Sequence, residues 1–130
     1  MSAWSHLPNA AHIDRVLASV GGHPEAWSDA YTADWAAAYD AAQYAAYDAA
    51  QYAAQYAARD AARDANSYRA AYYAARGAVL ALIAYDDCAK YLSIPSDQLR
   101  VWAVLSENPA AALFIPAVIA FEKINELEMA

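Results

Sequence analysis

The chain has 130 residues, of which 61% are apolar and only eight are glycine or proline, so length and composition describe one modest helical domain. A formal charge of −7 and a pI near 4.6 argue against nucleic acid as a bulk partner. Cys88 is the single cysteine. An intrachain disulfide is therefore impossible, and a reducing compartment is expected.

Taken in chain order, Asn9 is placed to cap a first helix carrying Ile13, Val16, Leu17 and Val20, which Gly21-Gly22 ends. Residues 1–24 are read as an N-terminal capping helix. Pro24 then opens a second helix, whose sequence runs into eight consecutive four-residue units over residues 35–66. These are Trp35-Ala-Ala-Ala, Tyr39-Asp-Ala-Ala, Gln43-Tyr-Ala-Ala, Tyr47-Asp-Ala-Ala, Gln51-Tyr-Ala-Ala, Gln55-Tyr-Ala-Ala, Arg59-Asp-Ala-Ala and Arg63-Asp-Ala-Asn. Each residue turns a helix by about 100°, so a four-residue repeat drifts by about 40° per unit. No flat partner stays on such a stripe along its whole length. An unbroken helix from residue 25 to 92 would be about 100 Å long. The segment is therefore expected to break near 64–68, with a tetrad helix over 25–66, unless long helices are shared in an oligomer.

Residues 67–92 are read as a core helix. Gly77 is a potential kink, and Val79, Leu80, Leu82, Ile83, Cys88, Tyr91 and Leu92 follow at helical spacing. Ser93-Ile-Pro95-Ser96 ends it. Residues 96–130 form C-terminal helices: a short one capped by Ser96, then one opened by Asn108-Pro109 that Pro116 is expected to kink or split. The fold class is all-α, an alanine/tyrosine-rich helical bundle with long central helices. A core of alanine and tyrosine buries little apolar area per side chain, so homo-oligomerisation is expected to make up the deficit. The longest mostly apolar stretch, residues 109–121, is shorter than the roughly 20 residues of a membrane span. The N-terminus also shows no charged leader followed by an apolar run, so a cytoplasmic location is expected.

Few groups point to chemistry. Asp86-Asp87 beside Cys88 and Lys90 is the densest polar cluster in the apolar region, but Asp86 and Lys90 stand at the spacing of an ordinary i,i+4 ion pair. Cys88 has no histidine within a helical turn to activate it and reads as a small buried hydrophobe. His6, His12 and His23 match no helical metal spacing. No glycine-rich phosphate loop is present either, so neither a metal, a cofactor nor an enzymatic activity is expected.

The charge distribution is more informative. Residues 16–58 hold five acids and no lysine or arginine, whereas Arg59, Arg63, Arg69 and Arg76 follow with only Asp60 and Asp64 to oppose them. Tyr56, Tyr68, Tyr72 and Tyr73 are interleaved with these arginines. Guanidinium groups beside aromatic faces suit a small anionic ligand that stacks, such as a nucleotide. Arg59, Arg63, Arg69, Arg76, Tyr68 and Tyr72 are the candidate site, with Arg69 and Arg76 as phosphate clamps and the two tyrosines as stacking partners.

The tetrads, together with Ala81-Leu82-Ile83-Ala84-Tyr85-Asp86-Asp87-Cys88-Ala89 and Pro116-Ala117-Val118-Ile119-Ala120, resemble alanine-rich hypothetical proteins of tailed bacteriophages and prophages. The group has no assigned activity, and the resemblance implies a phage origin and action in the host cytoplasm. Three functions are consistent with the residues. The first is a non-enzymatic counter-defence factor, a sponge for a small nucleotide-type ligand. The second is an inhibitor of a host protein that acts through the acidic Tyr/Asp face, and the third is a structural protein whose helices self-associate.

Overall fold

In the computed structural model, which describes residues 3–33, 49–106 and 109–129, all regular structure among those residues is helical. The helices are α1 (Ala10–Gly22), α2 (Pro24–Ala33), α3 (Ala49–Ala62), α4 (Tyr68–Ala84), α5 (Ser96–Ser106) and α6 (Pro109–Met129), with a 3₁₀ turn over Cys88–Ser93 before α5. Tetrad residues 35–48, the acidic-face residues Asp34, Asp40 and Asp48, and the expected cap Asn108 lie outside the described residues.

Helix α6 forms the middle of the bundle. Every residue from 110 to 118 is buried, and the helix packs against α2, α4, α5 and the 3₁₀ turn. A helix apolar on all sides is stable only when neighbours surround it. Pro116 sits inside α6 without splitting it. The cost of an interior proline, about 3 kcal/mol, is offset here by burial on every side. None of the described helices is long and apolar enough to cross a membrane.

The tetrads make a narrow contact. In α3, Ala50, Ala54, Ala58 and Ala62 are each at most 3% exposed, while Tyr52 and Tyr56 point outward at 56% and 68%. Three steps of the repeat rotate this stripe by about 120°, and α3 stays covered because it packs on both α1 and α4. The expected alanine/tyrosine core is corrected by these exposures. The fully buried large side chains include Trp27, Phe114, Ile13, Leu82, Leu113 and Ile115, and among the described residues only Tyr72 and Tyr91 are buried tyrosines. Each such aliphatic or aromatic side chain contributes roughly 1.5–3 kcal/mol of burial.

Helix α4 also departs from the sequence reading. It passes unbroken through Gly77 and stops at Ala84, where Tyr85 is extended (φ −131°, ψ 105°). The stop is set from a distance. The Asn9 side chain makes no capping bond to α1; its amide Nδ2 instead donates to the carbonyls of Leu82 (3.0 Å), Tyr85 (3.2 Å) and Asp86 (3.2 Å). Helix ends leave carbonyls without donors, and a buried amide at the end of α4 supplies them. Cys88, Lys90 and Tyr91 therefore lie in the 3₁₀ turn rather than in a helix. The Asp86–Lys90 pair is not formed; Lys90 Nζ lies 5.7 Å from the Tyr91 ring centroid instead. Ser96 opens α5 against α6, its N–H and hydroxyl donating to the two carboxylate oxygens of Glu122 at 2.8 Å each.

Candidate functional site

The arginine–tyrosine surface is built around the turn between α3 and α4. Beyond Ala62 the chain tightens: the Arg63 N–H donates to the Asp60 carbonyl (3.4 Å) and the Ala65 N–H to the Ala62 carbonyl (3.0 Å). Residues 63–67 form the turn, within the window that the tetrad drift marks for a break. Glu25 of α2 holds this turn, its Oε1 accepting from the Asn66 N–H at 2.6 Å. Tyr68 then starts α4. From it, Tyr72 and Arg76 follow at i,i+4 steps, and Arg69 and Tyr73 form the adjacent row.

Four rings run side by side from this helix to α2. Tyr68 and Tyr72 are stacked (centroids 6.0 Å, 6° between planes). Tyr72 and Tyr73 are 5.4 Å apart at 39°, and Tyr73 meets Tyr31 at 5.8 Å and 30°. Arg59 reaches across from α3, its guanidinium carbon 5.5 Å from the Tyr56 centroid and 5.3 Å from that of Tyr72. A hydrogen bond to the Tyr72 side chain, reinforced by that group's charge, holds the Arg59 proton more firmly than in a free arginine. Arg76 lies 5.9 Å from the Tyr73 centroid.

The six predicted residues are thus not equivalent. Arg59, Tyr68 and Tyr72 come together across two helices, and Arg76 joins the same run of rings through Tyr73. Arg63 turns aside to Asp60 (3.3 Å), with both side chains more than two-thirds exposed. Arg69 is exposed. Tyr72 is only 8% exposed and its ring is covered by neighbours, whereas Tyr68 is 40% exposed and keeps an outward face. A guanidinium lying on aromatic rings keeps its in-plane N–H edge for an anion, where two parallel bonds to a phosphate are favoured. Tyr31 is the member of the array that sequence spacing could not supply, because it belongs to another helix.

The polar cluster after α4 borders a hollow of about 480 Å³ lined by Tyr85, Asp86, Asp87, Cys88, Lys90 and Tyr91. Cys88 itself is buried, its Sγ donating to the Ala81 carbonyl at 3.3 Å. Burial, and secondarily the nearby Asp86 and Asp87 charges, push its thiol up to about 12. Such a group is a poor nucleophile near neutral pH. Among the described residues no three His, Cys, Asp or Glu side chains are grouped to hold a metal. His23 lies 3.9 Å from Glu128, at the far end of α6.

Comparison of the chain with protein-family models, with curated proteins and with solved structures yielded no match. The chemistry of this surface is therefore inferred from its own geometry.

Proposed function

We propose that the protein is a non-enzymatic binder of a small phosphate-bearing ligand, held on the arginine–tyrosine surface of α3 and α4. One observation carries the proposal. Among the described residues only Arg63 of the four arginines has a carboxylate partner, while Arg59 and Arg76 lie on tyrosine rings. Cationic edges remain over for an anion on a chain that is acidic overall. In the proposed complex Arg69 and Arg76 clamp phosphate, Arg59 donates from its fixed place on Tyr72, and a base stacks on the outward face of Tyr68. Tyr72 supports that ring from below.

Binding without turnover, by a homo-oligomer, fits a sponge that removes a nucleotide signal. The phage resemblance of the tetrads and of the Ala-Tyr-Asp-Asp-Cys stretch supplies the context of a counter-defence factor acting in a host cytoplasm. The proposal is tested by calorimetric titration with a panel of linear and cyclic nucleotides, using the wild type, Arg69→Gln, Arg76→Gln and Arg63→Gln. At least one nucleotide should bind the wild type and Arg63→Gln, while Arg69→Gln and Arg76→Gln lose that affinity with helicity unchanged. If no member of the panel binds the wild type, the site fails and inhibition of a host protein through the acidic face becomes the leading alternative.

A further inference from the structure

Helix α5 carries an apolar face that nothing in the described chain covers. It packs substantially against α6 alone among the helices, through Leu99, which is fully buried, and Ala103. On its outer side Val101 is 55% exposed, Trp102 51%, Val104 77% and Leu105 77%. The i,i+3 and i,i+4 spacings join these four into one patch. For side chains of these sizes the exposed fractions amount to roughly 500 Å² of mostly apolar surface, the size at which a patch on a monomer commonly has a function.

We infer that this face is a two-fold homodimer interface in which α5 packs against α5 of a second copy. Three observations favour a second copy over another occupant. First, a two-fold interface uses each patch twice, so about 1,000 Å² would be buried in total, which reaches the lower bound for a specific interface. Second, α5 is locally neutral in a chain of charge −7: between Ser96 and Ser106 it has one acid and one base, Asp97 and Arg100. These two are already paired within the helix at 3.5 Å. Two copies can therefore approach along this helix without the like-charge repulsion that the acidic remainder of the surface imposes. Third, aromatic and aliphatic side chains form the centre of the patch while Asp97, Gln98 and Arg100 lie toward its N-terminal side. That is the arrangement of an apolar interface core beside a polar rim. The inference does not depend on the ligand proposal, since α5 shares no residue with the arginine–tyrosine surface.

Sedimentation equilibrium of the full chain from about 1 to 200 μM tests it, beside Leu105→Glu, Val104→Lys and, as a control, Leu127→Glu. Leu127 is also exposed, at 63%, but lies near the end of α6, away from the patch. The wild type and Leu127→Glu should dimerise in this range. A buried like-charge pair costs several kcal/mol, so each α5 variant should weaken dimerisation about a hundredfold or more while its circular dichroism stays unchanged. A wild type that remains monomeric at 200 μM overturns the inference, as does a Leu105→Glu variant that dimerises as tightly as the wild type. If an α5 variant fails to fold, the wild-type concentration series still decides the point. Val104→Lys also distinguishes loss of packing from the sign of the introduced charge.

Discussion

Gly77 lies where α4 crosses α6, and replacing it by alanine separates two opposing effects. In an exposed helix interior the change stabilises by about 1 kcal/mol, because alanine restricts the unfolded chain and favours the helix. At position 77 an added Cβ would lie 3.1 Å from the Leu113 carbonyl oxygen and 3.7 Å from its Cδ2. The first contact is with backbone, so no rotamer change relieves it. Helix α6 cannot easily retreat either, since residues 110–118 are buried on every side. Overpacking a filled core costs about 1–3 kcal/mol, so the net effect of Gly77→Ala is a loss of about 1 kcal/mol, or a Tm lower by about 3–5 °C in a domain of this size. Gly21→Ala is the internal control, because a Cβ there meets nothing within 4 Å and should stabilise by about 0.5–1 kcal/mol. Urea unfolding of both variants, followed by circular dichroism, reads the difference. A Gly77→Ala protein as stabilised as Gly21→Ala would refute the close crossing of α4 and α6.

Asn9→Ala should cost about 1–3 kcal/mol in the same urea assay, because three carbonyls at the end of α4 lose a buried donor; a neutral result would show that water replaces the amide freely. Ala58→Leu should destabilise by about 1–3 kcal/mol by forcing α3 off its neighbours, and a stability gain would contradict the close packing of that stripe. Cys88 should resist a thiol reagent at pH 8 until the protein unfolds, and fast native labelling would contradict its burial. Its folded pKa is raised, so its contribution to stability is complete below the unfolded value of about 9 and is lost as pH rises toward about 12. Cys88→Ala should flatten that part of the stability profile, and an unchanged slope between wild type and variant would count against the shift.

Local chemistry was legible in the sequence wherever a residue acts on its own neighbourhood. Pro24 opens α2, Pro109 opens α6, and the apolar run from Val79 to Ile83 marks a core helix. The drift of the tetrads also pointed to a turn near residue 64. What could not be read were interactions joining distant positions. Asn9 looks like a helix cap by type, yet it ends α4, more than 70 residues away. No glycine or proline marks that end, so Cys88 and Tyr91 seemed to continue the helix. Gly77 suggested a kink but is instead the clearance for another backbone. At the candidate site, the Arg63–Asp60 pair follows from i,i+3 spacing. The approach of Arg59 to Tyr72, and of Tyr31 to Tyr73, depends on how α2, α3 and α4 pack and has no signature in the spacing.

The proposal that a phosphate-bearing ligand sits on α3 and α4 is tested most directly by amide and side-chain chemical-shift mapping. Labelled protein would be titrated with each member of the nucleotide panel. The account predicts saturable shifts concentrated at Arg59, Tyr68, Arg69, Tyr72 and Arg76, weakening as salt is raised. Signals from Cys88 and the outer face of α5 should stay in place. Shifts centred on the Tyr85–Tyr91 hollow, or none with any nucleotide, would contradict it.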